Sequence, residues 1–215
     1  MGAISRAGKL FPNPSNQCQP MAPPYILANL GNQEIQLVQQ KGQVLILHVE
    51  DHQVRRVRLN QSHPARVTPS WHGDSVGHYE GDTLVVDTVG IKVGPFSMVD
   101  IFGTPQTDAL HVVERYRLVD YDTAKRATEW AISEHGYRNA GALSEGMVID
   151  TAYRGKGLQI QFTVDDAGVF TTPWSGSVTY LRSGRAWIES ACAESIHDYS
   201  TGENAKVPTS EGPDF

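Results

Sequence analysis

A chain of 215 residues and 23.6 kDa is long enough to bury a sizeable core in one domain, or in two small ones. Hydrophobic residues make up 40% and charged residues 20%, and the apolar quartet Val44–Leu47 is as long as any uninterrupted apolar run, far short of the roughly 20 residues of a membrane-spanning helix. Lys and Arg number 18 against 24 Asp and Glu, for a formal charge of −6, and apart from Arg55, Arg56 and Arg58 the basic residues are scattered, so the concentrated positive face of a nucleic-acid binder is missing.

The lead-in, residues 1–24, carries five prolines from Phe11 to Pro24 and reads as an irregular, extended segment lying over a core. It holds Cys18, and the second cysteine, Cys192, lies near the other end of the chain, which excludes a CxxC metal or redox motif. The two are expected either as a disulfide or as buried thiols. Met1–Leu10 lacks the apolar region of a signal peptide, so the chain is either cytoplasmic or exported after removal of a signal that this sequence does not contain. The disulfide reading favours export.

From Glu34 the pattern turns to β. Strands are expected at Glu34–Val38, Gln43–Glu50 and Val54–Leu59, the last two joined by a short polar connection. A hairpin follows, Gly77–Tyr79 with Thr83–Thr88 around Glu80-Gly81-Asp82. Further strands are expected at Ala109–Leu118, Gly157–Val164, Ser177–Arg182 and Ala186–Ala191. Between Asp122 and Gly136, Ala124, Ala127, Trp130 and Ala131 recur at helical spacing, with Asp122 as expected N-cap; a strand at Thr128–Ser133 is the alternative. Many short strands and one helix predict a mainly β fold, an antiparallel β-barrel of calycin or lipocalin-like type, occupying residues 25–200 with a covering helix near 122–135 and a tail at 201–215. A barrel of this size can enclose one small ligand.

Four residues stand out as candidate acids and bases. In strand Gln43–Glu50, His48 shares a face with Val44 and Ile46, so an imidazole enters the barrel if that face turns inward. In Ala109–Leu118, His111 alternates onto one face, and Glu114 onto the more apolar one with Val112 and Tyr116, where a carboxylate must be paired or protonated. An arginine such as Arg56 is the expected partner. Asp74 belongs to the dense polar and aromatic stretch Trp71–Thr88, although Asp74, Ser75, Glu80 and Asp82 read equally well as turn residues. Trp71, Tyr79, Phe96, Trp174 and Arg56 are the expected substrate-binding side chains.

Other chemistries are disfavoured. Gly73-Asp74-Ser75 lacks the G-x-S-x-G elbow of an esterase, and the eight histidines show neither HExxH nor H-x-H spacing, so no metal site is expected. Without GxGxxG or a P-loop, no nucleotide cofactor is expected either.

The stretches Trp71–Ser75, Tyr79–Thr88 and His111–Tyr116 resemble a bacterial family of uncharacterised, usually exported proteins with a W-x-G-D-S-x-G-x-W-E-G-D-T-L-V-V-D-T core. Similarity continues through Tyr153–Gln159, Phe170–Trp174, Cys192–Glu194 and Pro213–Phe215. This chain departs from the pattern at Tyr79 (Trp in the family), His78 (Arg) and Gln106 (His). The resemblance implies export and a Cys18–Cys192 pair, and it implies no reaction.

The expected function is that of a cofactor-independent enzyme, an isomerase, lyase or cyclase, moving a proton on a small, partly hydrophobic molecule, with His48, Asp74, His111 and Glu114 as catalytic residues. The alternative is a non-catalytic binding or carrier protein for such a molecule. The expected partners are that ligand or substrate and, at most, a second copy of the chain in a homodimer.

Overall fold

A computed structural model describes residues 14, 17–28, 34–49, 52–134, 150, 152–184, 187, 192, 197–198 and 203–204. The fold is mainly β, an eight-stranded sheet curled into a half-barrel with one covering helix. The strands follow chain order: β1 Ile35–Gln40, β2 Gln43–His48, β3 Val54–Leu59, β4 Asp74–Glu80, β5 Thr83–Val89, β6 His111–Val119, β7 Gly157–Asp165 and β8 Trp174–Tyr180. Two-residue strands β9, His197–Asp198, and β10, Glu203–Asn204, pair separately. Strand β8 begins three residues before the expected Ser177, and most of the strand expected at Ala186–Ala191 lies outside the described residues.

Alternation explains the sheet. On β2, Val44, Ile46 and His48 are buried while Gln43, Leu45 and Leu47 are half-buried; on β6, Val112, Glu114 and Tyr116 are buried. These residues line the concave face with Val57, Leu84, Val86, Ile160, Phe162 and Val164. Each fully buried Val, Ile or Leu side chain contributes about 1.5 to 3 kcal/mol of transfer free energy. The concave face is itself covered by the N-terminal segment, from which Met21, Tyr25, Ile26 and Leu27 join the core, the last three on the short helix α1, Tyr25–Ala28.

One pairing breaks the antiparallel order. Strands β3 and β4 run parallel, Val57 opposite Ser75, so residues 60–73 must cross the convex face to bring the chain back. Val67 packs on Gly90 during that crossing.

The helix α2, Tyr121–Glu134, coincides with the expected element, but its N-cap is Asp120 rather than Asp122: Asp120 Oδ1 accepts a hydrogen bond from the Thr123 amide at 2.9 Å. Ala124 is fully buried against Gly157 on β7, whereas Trp130, expected on the buried face, is 65% exposed. Among the described residues no helix is long and apolar enough to cross a membrane. Cys18 and Cys192 form a disulfide with Cα atoms 5.5 Å apart, tying the N-terminal segment to the end of the domain.

Candidate functional site

The concave face carries a charged cluster in an otherwise apolar layer. Strand β3 turns Arg55 and Val57 inward, β4 contributes Ser75, β5 Thr88, and β6 Glu114 with Tyr116. Arg55 is 2% exposed and Glu114 is fully buried. The guanidinium grips the carboxylate with both terminal nitrogens, Nη1 donating to Oε1 at 2.9 Å and Nη2 to Oε2, while Nε donates to Ser75 Oγ at 3.0 Å and Nη2 to Thr88 Oγ1. The Tyr116 hydroxyl donates to Glu114 Oε1 at 2.7 Å. Burial opposes the Arg55 charge, but Glu114 and Tyr116 outweigh it and raise the pKa, so the guanidinium stays charged. Burial, then Glu114, pushes the Tyr116 and Tyr180 phenols upward, keeping both neutral. Such a network is electrostatically closed, because every charged atom in it meets an opposite charge or a hydroxyl.

Two histidines beside this network are not closed in the same way. His48, at the end of β2, is 1% exposed, and neither of its ring nitrogens has a hydrogen-bond partner among the described residues. His72, two residues before β4, has a buried Nδ1 in the same condition. Burial, then the charge of Arg55, then His72, holds the His48 pKa down to about 3; burial followed by Arg55 holds His72 down to about 4. Both rings are therefore neutral at pH 7. A neutral imidazole offers one N–H and one lone pair, and leaving such a group buried and unpaired costs about 1 to 3 kcal/mol. Gly73 fixes the path of the chain beyond His72: its φ is +67°, and a Cβ there would lie 2.6 Å from the Val89 carbonyl oxygen.

The convex face holds a second polar chain. Arg58 Nη2 donates to both oxygens of Asp74, at 2.7 and 2.9 Å; His63, in the crossing segment, contacts Asp74 through Nδ1 at 2.6 Å and Asp87 through Nε2 at 2.9 Å; His111 Nε2 lies 3.1 Å from Asp87. An imidazole that donates from both nitrogens must be protonated. Burial works against that charge, yet the two carboxylates prevail and raise the His63 pKa.

The expected catalytic set is therefore divided. His48 and Glu114 lie on the concave face, and Asp74 and His111 lie on the convex face, separated from them by the thickness of the sheet. Arg56 does not meet Glu114: it is exposed and donates to Gln43 Oε1 at 2.6 Å, and Arg55, one residue earlier and on the opposite face, takes the partnership. Among the expected binding residues, Tyr79 is 45% exposed, and Trp71 is partly buried beneath Lys92, whose ammonium lies 4.6 Å from the ring centroid. Phe96 is partly buried with its amide donating to Gln19 Oε1 at 3.2 Å. Trp174 packs edge-on against Phe162 and Phe170, each 5.9 Å away between centroids, and its buried Nε1 has no partner among the described residues. Arg55, His72 and Tyr116 were not among the expected site residues, although the Arg55-x-Val57 alternation marks Arg55 as the arginine that follows the apolar side. No family model, curated protein or solved structure matches the chain.

Proposed function

We propose that the half-barrel is a receptor for a small, partly hydrophobic organic molecule, held on the concave face with its polar end at His48 and His72. The observation that carries this reading is His48 itself, an inward imidazole at 1% exposure with both nitrogens unpartnered among the described residues, in a layer where aliphatic and aromatic side chains surround the Arg55–Glu114 network. Small-ligand sites have this make-up, an apolar lining with a few oriented polar groups. The disulfide supports an oxidising, exported setting for the protein.

Proton-transfer catalysis, as an isomerase, lyase or cyclase, is the second reading. What favours it is a pair of neutral imidazoles beside a buried cation, able to accept a proton from a substrate. Against it, groups held near 3 and 4 are weak bases at neutral pH, and Glu114 is already committed to Arg55. The test is a thermal-shift screen of small apolar compounds bearing one polar group. Hits should stabilise the wild type, lose most of that effect in His48→Phe, and be recovered unchanged after prolonged incubation. Recovery of a converted compound would instead support the catalytic reading, and the absence of any hit would sink both.

A further inference from the structure

The stretch leading into β7 carries a cluster that the concave-face reading does not use. Its sequence, Tyr153-Arg154-Gly155-Lys156-Gly157, brings two cations close together, and Arg182, just past the end of β8, is the third. Strand pairing puts them on one rim of the sheet. Gly157 is opposite Val119 at the end of β6, Leu158 is opposite Tyr180 at the end of β8, and Tyr121 opens α2 directly after β6. The Asp150 amide donates to the Arg182 carbonyl at 2.9 Å, which ties the chain beyond β8 to the stretch before β7.

Tyr153 is the centre of the cluster. Its hydroxyl donates to the Lys156 carbonyl at 3.3 Å, and its ring closes over Gly155, where a Cβ would collide with it. The Arg182 guanidinium lies over this ring with Cζ 5.4 Å from the centroid; Arg154, whose Nη1 donates to the Tyr153 carbonyl at 2.9 Å, lies over Tyr121 at 5.0 Å. Stacking takes the face of a planar guanidinium and leaves its edge, where the N–H groups are, for a further partner. All three cations are exposed, and the nearby Asp150 carboxylate is turned to the amides of Ala152 and Tyr153, at 3.0 and 3.2 Å. Elsewhere Arg58, Arg115 and Lys125 face Asp74, Glu80 and Glu129; Lys156 and Arg182 meet no carboxylate among the described residues. Cations gathered in this way repel one another, and an anion relieves that repulsion.

Independently of the concave-face reading, we propose that Arg154, Lys156 and Arg182, gathered about Tyr153 on this rim, form a binding site for a phosphate group, carried by a soluble phosphorylated molecule or by a phospholipid headgroup.

Other anions meet the cluster less well. A carboxylate carries one charge on two oxygens, and a single guanidinium fork already satisfies it. A phosphate monoester spreads nearly two charges over three oxygens, enough acceptors for two forks and an ammonium. The tyrosine rings add what scattered surface arginines lack. They hold the two guanidinium planes before the anion arrives, so less side-chain freedom is lost on binding.

The experiment is an NMR titration of the full, disulfide-bonded chain with inorganic phosphate, glycerol 3-phosphate and acetate, followed at the Nε–H groups of Arg154 and Arg182. Sedimentation with phosphatidylcholine vesicles, with and without phosphatidic acid, accompanies it. A phosphate should shift both arginine resonances saturably and bind about tenfold more tightly than acetate. Arg182→Gln and Lys156→Gln should each weaken binding about tenfold. Tyr153→Leu keeps every charge but removes a stack, and should weaken it about threefold. Arg66→Gln, which removes an exposed arginine of the crossing segment, should change it less than about twofold. Saturation by glycerol 3-phosphate supports a soluble ligand; binding confined to phosphatidic acid vesicles, with the same order of variants, supports a headgroup. No response to any phosphate, acetate binding as tightly, or equal losses in Arg182→Gln and Arg66→Gln would overturn the site. The concave-face receptor is tested by His48→Phe and is untouched by any of these outcomes.

Discussion

Arg55 and Glu114, 59 positions apart in the chain, meet as a bidentate ion pair sealed inside the concave face of the sheet. The pair links β3 to β6 across β4 and β5, and each intervening strand supplies a hydroxyl, Ser75 and Thr88, to the same guanidinium. Its consequence reaches past the four groups, because burial, and after it the cation that the pair retains, keeps His48 and His72 neutral.

Removing one partner should be far costlier than removing both. Glu114→Gln leaves a buried guanidinium without a counter-charge, and the expected loss is about 3 to 5 kcal/mol of unfolding free energy. The double variant Arg55→Met with Glu114→Leu should recover most of that loss, since apolar side chains of similar volume need no compensation. Urea denaturation at pH 7 compares the wild type with both variants. A double variant as unstable as Glu114→Gln would show that the pair is needed for more than mutual neutralisation.

Much of this was legible in the sequence. The alternation of β6 shows that the Val112, Glu114 and Tyr116 face is buried because that side of the strand meets the core, and α2 announces itself by its 3.6-residue spacing and polar start. On β2, where apolar residues occupy both faces, the sequence leaves the inward face open. Strand parity alone puts His111 and Glu114 on opposite faces, so their grouping into one catalytic set asked two faces of a sheet to meet. What composition and periodicity do not carry is partnership. Val54–Leu59 contains three arginines, and only the parallel pairing of β3 with β4, fixed by a crossing segment of irregular sequence, brings Ser75 beside Arg55. His63 lies in that same segment, where no periodicity marks a residue for a role.

Buried His48 and half-buried His72 should make the protein acid-sensitive. Both have folded pKa values below the ordinary value of 6.5, at about 3 and about 4, so below pH 6.5 the unfolded chain binds protons that the folded chain refuses. Stability is fully present above pH 6.5 and lost as pH falls toward the folded values, at roughly 1 to 1.5 kcal/mol per pH unit for each ring. Urea midpoints between pH 7.5 and 4.5 measure the slope. His48→Gln should reduce it by about half; an unchanged slope would show that other groups carry it.

His63 should act with the opposite sign. Its folded pKa is raised by Asp74 and Asp87 against the opposition of burial, so its contribution is complete below pH 6.5 and is lost as pH rises through the folded value. Above that point the ring keeps one N–H and can donate to only one carboxylate. Proton NMR titration of the His63 ring should therefore give a pKa above 6.5 in the wild type and a lower one in Asp87→Asn. Amide exchange in residues 60–73 should quicken above the wild-type value. A His63 that titrates at 6.5 in both proteins would sink the bridging role.

The disulfide should matter both to stability and to access. It closes a loop spanning 174 positions and is expected to contribute about 5 kcal/mol on the chain-entropy account, so Cys18→Ser with Cys192→Ser should lower the urea midpoint strongly. Its local effect follows from what lies just beyond Cys18. Gln19 receives the Phe96 amide and donates to Ser97 Oγ at 3.1 Å, the Met21 amide donates to Gln53 Oε1 at 3.2 Å, and Met21, Ile26 and Leu27 close over the concave face. Gln53 is the residue whose carbonyl accepts the His48 amide, at 2.9 Å, so the segment is fastened to the same residue that pairs with the His48 backbone. Freed from Cys192, it should open more often: exchange of the Met21 and Ile26 amides should accelerate more than that of Val86 or Val112 in the sheet, and any ligand of the concave face should associate faster. Hydrogen exchange with mass spectrometry and stopped-flow binding measure the two effects. Uniform acceleration across the sheet and the segment alike would mean that the bridge stabilises the whole fold without fastening the cover.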